Sequence, residues 1–299
     1  MQETAYAKIN LALHVRKRRE DGYHELETLF AFVDGGDTLL AKRAEQDRLQ
    51  VVGEFSTFLT SPLPTGEGLG VGAPAFDDQD GASPPPHPPP QGGRSSGANI
   101  VMQALGALPR PNGLAITLEK NLPVAAGLGG GSADAGALFR VVERAHGLPD
   151  DWRTRAAKLG ADVPACVESI TCVGRGTGTD LEPIDSDLTG TPVLLVNPRV
   201  PLATGPVFKA WDGKDRGPMP EGTAREIAQA GRNDLRDPAI SQCPVIAEVL
   251  AALGQSAAWK VEMSGSGATC FALFDTTEAR DAAAAAMPSE WWQMAGKLR

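Results

Sequence analysis

The sequence predicts an α+β protein of two domains. Three observations carry that expectation: strict alternation of apolar residues over 5–15, a strand followed by a glycine-rich loop and an amphipathic helix over 113–147, and strands interleaved with helices through the C-terminal third. At 299 residues the chain can hold two ordinary domains, each with its own core. The division is expected near residue 180, giving domains over 1–180 and 181–299.

Taken in order, Ala7, Ile9, Leu11, Leu13 and Val15 share one face of the first strand, and Tyr6, Lys8, Asn10, Ala12 and His14 the other. Spacing alone makes the Lys8 and Asn10 face a solvated one. Asp21-Gly22 is a hairpin signal, followed at once by Tyr23 and His24 and a second strand through Phe30 and Phe32. Tyr23 and His24 are a pair able to stack on and hydrogen-bond a planar ligand, although a tyrosine near a turn also serves as plain packing. Two further short strands are expected around 37–42 and 48–53.

The segment 61–97 is rich in Pro and Gly and includes seven residues, 84–90, that read PPPHPPP. Such a composition buries too little apolar surface to offset its ordering entropy, so a disordered or polyproline insertion is expected there. Asn99 then caps a helix that ends near Pro109, and 113–119 reads as a strand. After the glycine loop, apolar residues recur at helical spacing up to Gly147. Another helix is expected over 151–159. Pro164 favours an extended Val163 and keeps Asp162 out of a helix, where it is either a turn former or a catalytic base. Beyond it come a strand over 192–196, helices near 223–230 and 244–253, strands over 259–263 and 269–274 around the turn Ser264-Gly265-Ser266-Gly267, and a helix over 277–286.

Charge and composition exclude several classes. The formal charge of −9 argues against general nucleic-acid or anionic-membrane binding, so an anionic ligand must be held by backbone dipoles and a few placed cations. The four cysteines, Cys166, Cys172, Cys243 and Cys270, show neither C-x-x-C spacing nor metal-ligand spacing with the histidines, and are expected as reduced thiols with no metal site. No leader and no membrane span is visible, which gives a cytoplasmic expectation.

The centre of the chain is the stretch PVAAGLGGGSADAGA over 123–137. Gly127, Gly129, Gly130 and Gly131 let the backbone approach a ligand closely, Ser132 reads as a cap, and the helix that follows adds unpaired N–H groups and a positive dipole end. The stretch reads as a phosphate cradle; a flexible linker would not lead straight into a helix. It lacks the lysine of a P-loop, and Ser132 stands where a Rossmann loop has its third glycine.

The pattern P-x-A-A-G-L-G-G-G-S resembles the ATP loop of the GHMP kinases. AKINLALHV over 7–15, DGYHELET over 21–28, GADVPACV over 160–167, GRNDL over 231–235 and MSGSGATCF over 263–271 extend the resemblance along the chain, outside 61–97. Together they are similar to the branch that phosphorylates the C2 hydroxyl of a cytidylyl methylerythritol, in the non-mevalonate isoprenoid route. That resemblance implies an N-terminal domain like ribosomal protein S5 domain 2, a ferredoxin-like C-terminal domain and an active site in the cleft between them. It implies ATP as donor, with Mg²⁺ carried by the nucleotide, and Lys8 and Asp162 as the catalytic pair. Pro123, Val124, Ala125, Ala126, Gly127, Leu128, Gly129, Gly130, Gly131, Ser132 and Ala133 would surround the ATP phosphates. Asn10, Tyr23, His24, Thr204, Phe208, Gly265 and Gly267 would hold a small-molecule cytidylyl substrate, with no nucleic acid or membrane partner and a monomer or weak homodimer as the unit. Ala133 stands where many relatives have a second serine, which leaves Ser132 to serve alone. Homoserine- or mevalonate-type kinases, and a sensor of the same fold that does not react, are the alternatives; Tyr23, His24 and Phe208 count against the first and the Lys8–Asp162 pair against the second.

Overall fold

The first two strands form one long hairpin. In the computed structural model, which describes residues 1–57 and 99–299, β1 (Gln2–Arg18) and β2 (His24–Ala44) pair antiparallel from Gln2↔Leu40 to Arg18↔His24. The expected insertion lies outside the described residues. The turn forms as the Asp-Gly signal requires: Gly22 is left-handed (φ +82°), the Tyr23 N–H donates to Asp21 Oδ1 at 3.0 Å, and the Arg19 N–H donates to the Tyr23 carbonyl at 2.8 Å.

The strand expected separately at 37–42 is the second half of β2. Asp34, Gly35 and Gly36 form a bulge, where pairing steps from Lys8↔Phe32 to Tyr6↔Gly36. A Cβ on Gly36 would lie 1.9 Å from the Ala5 carbonyl oxygen, so the bulge requires glycine. The β3 strand (Arg48–Val52) runs parallel to β4 (Gly113–Glu119), and β4 pairs with the second half of β2. The β5–β6 hairpin (Cys172–Arg175, Asp180–Pro183) completes this six-stranded sheet.

Helices cover one face of the sheet. Asn99 caps α1 (Ile100–Ala107) by accepting the Val101 N–H at 2.9 Å, and α2 (Gly130–His146) ends at Gly147 (φ +78°). The cap of α2 is Gly129, so Ser132 lies inside the first turn and is not the cap. After α3 (Trp152–Leu159) comes α4 (Val163–Glu168), which corrects the expectation of an extended Val163: Pro164 sits in the first helical turn, where a missing N–H costs nothing, and Asp162 is the N-cap position. Phe30, Phe32, Leu118, Leu138 and Phe139 are buried in the core beneath these helices.

The second sheet starts with β7 (Pro192–Asn197). Short helices α5 (Thr204–Lys209), α6 (Ala224–Ala230), α7 (Arg236–Gln242) and α8 (Val245–Gly254) lead to β8 (Lys260–Met263) and β9 (Cys270–Leu273), followed by α9 (Thr277–Ala286) and β10 (Trp292–Lys297). The spatial order is β10-β7-β9-β8, all antiparallel. The β5–β6 hairpin, α5, α7 and β10 carry no clear periodicity and were not expected. The first sheet ends at Pro183 and the second begins at Pro192, so we propose that the domains divide between them, slightly past residue 180.

The two sheets pack face to face. Ile9, Leu11, Leu29, Ala31 and Val33 of the first meet Val193, Leu195, Phe271, Leu273 and Trp292 of the second. Alternate residues Leu194, Val196, Cys270 and Ala272 face the outer helices. Each large apolar side chain buried in the middle layer contributes about 1.5–3 kcal/mol, so the two sheets share one core.

Candidate active site

Two breaks in the β1–β2 register bracket Lys8 and Asn10: the β2 bulge at Asp34-Gly35-Gly36, opposite Tyr6/Lys8, and a bulge in β1 itself at Asn10/Ala12. The expected solvated face is buried: Lys8 is 4% and Asn10 3% exposed, because glycine turns from both domains cover it. The Lys8 ammonium donates to Asn10 Oδ1 at 2.9 Å and lies 3.1 Å from Asp162 Oδ2. The Asn10 amide donates to Thr28 Oγ1 at 2.8 Å, and that hydroxyl donates to the Ala12 carbonyl at 2.7 Å. The relay fixes which way the amide points, and therefore where Lys8 is held. Asp162 makes no capping bond to α4, which leaves its carboxylate, 32% exposed, for Lys8 and for a ligand.

The glycine loop is anchored by its carbonyls. Those of Ala125, Ala126, Gly127 and Leu128 accept from Leu202 N, Thr269 N, Ser264 Oγ and Lys8 N in turn. Pro123, Ala126, Leu128 and Ala133 have buried side chains, so the loop offers backbone and not these groups on its open side; Pro123 has no N–H to offer. Gly127 and Gly129 are left-handed at φ +75° and +62°. A Cβ on Gly129 would come within 3.0 Å of Lys8 Cε, so the loop presses directly on the Lys8–Asp162 pair. Gly130, Gly131 and Ser132 form the first turn of α2, where N–H groups are unpaired and the dipole is positive.

The second glycine turn closes on the first. Gly265 and Gly267 are left-handed, a Cβ on Gly265 would lie 3.2 Å from Asn10 Oδ1, and one on Gly127 would collide with the Ser264 carbonyl. Asn233 braces the turn by donating to the carbonyls of Met263 and Gly265, both at 2.8 Å, and its neighbour Asp234 accepts the Val15 N–H at 2.8 Å. The open edge of β1 is thus capped by the glycine loop and by the GRNDL segment of the second domain. Thr204, at the start of α5, shares a hydrogen bond with Ser266 at 3.0 Å.

Towards the hairpin tip, the His24 ring packs against Phe208 (centroids 5.0 Å apart) and edge-on against Trp211 (5.7 Å). Burial, with the Arg18 guanidinium alongside, lowers the His24 pKa. Tyr23 is 38% exposed on the turn, and among the described residues its ring is not stacked on His24 or Phe208.

Sequence reasoning missed an ionic cluster beneath the loop. Lys120 donates to Asp37 and, at 2.8 Å, to Asp134 on α2, while Asp37 Oδ1 accepts the N–H groups of Asn121 and Leu122 at 2.6 and 2.8 Å. The cluster clamps both the entry to the glycine loop and its exit. Burial pushes the Asp134 carboxyl up, and its Oδ1 has no partner among the described residues. An aspartate among the small residues of the helix was the available signal. The four cysteines are free and buried, and among the described residues no helix is long and apolar enough to cross a membrane.

Family models for the GHMP kinases N terminal domain and for GHMP kinases C terminal match residues 89–169 and 219–293. A 4-diphosphocytidyl-2-C-methyl-D-erythritol kinase of Novosphingobium aromaticivorans is 62% identical, covering 100% of this chain and 93% of that protein. One from Erythrobacter litoralis is 59% identical over 99% of each. A crystal structure of 4-(cytidine 5'-diphospho)-2C-methyl-D-erythritol kinase superposes with a TM-score of 0.75 at 30% identity, covering 100% of this chain and 99% of that one. A homoserine kinase from Cytophaga hutchinsonii, at 15% identity and a TM-score of 0.60 over 99% and 95%, shares the fold alone.

The two sheets, the glycine loop between them and these matches define a GHMP kinase, a class that carries out ATP-dependent phosphoryl transfer. Within that class, the chain belongs to the family of 4-diphosphocytidyl-2-C-methyl-D-erythritol kinases.

Proposed function

We propose that this chain transfers the γ-phosphoryl group of ATP to the C2 hydroxyl of 4-diphosphocytidyl-2-C-methyl-D-erythritol, giving the 2-phosphate and ADP. The observation that carries the reading is the Lys8–Asp162 pair, 3.1 Å apart and pressed against Gly129 of the phosphate loop. Asp162 accepts the proton of the attacking hydroxyl, early or late in the transfer. Lys8, held by Asn10 and Asp162, stabilises charge on the transferring phosphoryl oxygens without reorganising.

The amides of Gly127, Gly129, Gly130, Gly131 and Ser132 hold the ATP phosphates. A cradle that a single Cβ at Gly129 would fill fits a group that must approach the backbone closely. Mg²⁺ would come with the nucleotide as part of the substrate, and would neutralise phosphate charge there. Asn10, Thr204 and the turn at Gly265 and Gly267 line the substrate path, and Tyr23, His24 and Phe208 hold the cytosine ring. For Tyr23 this requires the exposed side chain to fold over the bound base.

A coupled assay of ADP release tests the reading, with the cytidylyl methylerythritol substrate set beside homoserine, mevalonate and other alcohols. Turnover confined to the cytidylyl substrate is expected. Turnover of homoserine or mevalonate in its place would replace this substrate by another of the class.

A further inference from the structure

The side chains behind His24 decide which face of its chemistry a ligand meets. Arg18 Nε lies 3.4 Å from His24 Nε2. A guanidinium has donors and no acceptor, so Nε2 must offer its lone pair, and the proton of the neutral ring then resides on Nδ1. Nδ1 itself makes no hydrogen bond to the described residues and is not among their buried unpartnered atoms, so it is left open. Arg18 also donates through Nη2 to the Lys209 carbonyl at 3.3 Å, which ties β1 to the end of the helix that carries Phe208.

Trp211 completes the backing. It is 4% exposed, its indole stands nearly perpendicular to the imidazole, and its N–H has no partner among the described residues, so it acts by shape and not as a donor. Arg18 and Trp211 also line a cavity of about 250 Å³ with Lys17, Asp212 and Gly213.

We infer that Arg18 and Trp211 lock His24 with its ring proton on Nδ1, which makes Arg18 a specificity-determining positioning residue for the base of the substrate. This rests on the cytidylyl reading above. A fixed N–H donor complements the lone pair on N3 of cytosine and is opposed by the N3–H of uracil, which leaves a mismatched donor pair. Burial and the Arg18 charge both disfavour the imidazolium, in keeping with a single neutral form. Arg18 is the charge that acts on the ring; Lys17 and Asp212 line the cavity beside Arg18 and Trp211, and Glu25 and Lys209 are the charged chain neighbours of His24 and Phe208.

The test uses the full chain, with calorimetric titration of CDP and UDP, ¹⁵N imidazole spectra of His24, and steady-state kinetics. For the wild type, we expect binding of CDP at least tenfold tighter than UDP and a ¹⁵N pattern with the proton on Nδ1. Arg18→Met should lose most of the CDP preference and raise KM for the cytidylyl substrate about tenfold, with kcat and KM for ATP unchanged. CDP binding to that variant should also gain a pH dependence near the ordinary imidazole range. Arg18→Lys, which still donates, should restore the preference, and Trp211→Phe should keep it. An unchanged CDP-to-UDP ratio in Arg18→Met, or a proton on Nε2 in the wild type, overturns the inference alone. A wild type that binds ATP but neither CDP nor UDP overturns the cytidylyl reading, and this inference with it.

Discussion

Gly129 and Lys8 touch across the active site: a methyl group on Gly129 would lie 3.0 Å from Lys8 Cε and 3.8 Å from Asp162 Oδ2. The backbone there is also left-handed at φ +62°, which costs an L-residue about 1–2 kcal/mol. Gly129→Ala is therefore expected to cut kcat/KM for ATP by more than tenfold while the protein stays folded. Steady-state kinetics beside a thermal melt will check this, and a variant with normal kcat/KM would show that the loop does not press on the pair in solution.

Asp162→Asn removes the proposed proton acceptor but preserves shape and leaves an amide oxygen that can still accept from the buried Lys8 ammonium. Turnover should fall by about 10²–10⁴, the usual contribution of a general base, with ATP affinity retained. Rapid-quench phosphoryl transfer and nucleotide titration separate the two effects. Full activity would remove Asp162 from its role.

The clamp of Lys120 with Asp37 and Asp134 predicts opposite effects for two substitutions. Lys120→Met strands two buried carboxylates and should cost about 3–5 kcal/mol. Asp134→Asn should be neutral or stabilising. Burial raises the folded pKa of Asp134, with Asp37 nearby acting in the same direction against the pull of Lys120. The folded state then binds the proton more tightly than the unfolded chain, so this group withdraws stability as pH rises above its ordinary value of 3.8, and an amide abolishes that loss. Urea denaturation at pH 5 and pH 8 reads both.

His14 is fully buried and neutral, accepting the Arg232 N–H at Nε2 and facing the Gly217 carbonyl through Nδ1, each at 3.3 Å. Burial, then the Arg232 charge, lowers its pKa below 6.5. A depressed histidine favours folding when neutral, so its contribution is present above 6.5 and is lost as pH falls through the window down to the folded pKa. The melting temperature should decline from pH 7 to pH 5, and His14→Gln should flatten that decline. An equal slope in both proteins would assign the effect elsewhere.

The parts of the fold that announce themselves in sequence are those governed by local chemistry. The Asp21-Gly22 turn, the Asn99 cap, the β4 strand and the stop at Gly147 all follow from one or two residues acting on their own backbone. What was not legible depends on partners distant in sequence. Gly35 and Gly36 form a bulge only through pairing with Ala5 and Tyr6. Pro164 reads as a helix breaker until α4 begins just before it. Lys8 and Asn10 sit on what spacing makes a wet face, and burial comes from turns more than a hundred residues away. The Lys8–Asp162 and His24–Phe208 relationships came from family resemblance, whereas Lys120, Arg18 and Trp211 carry no motif and required three-dimensional contacts.

The capped edge of β1 bears on how the protein is made. The Val15 N–H finds its acceptor on Asp234, 219 residues later in the chain. At bacterial and eukaryotic synthesis rates of roughly 5–20 residues per second, β1 leaves the ribosome on the order of 10–40 s before that partner exists. For that interval the strand bearing Lys8 and Asn10 presents bare N–H and C=O groups to any passing chain. Lys8, the proposed catalytic lysine, therefore reaches its final surroundings only when translation is nearly complete.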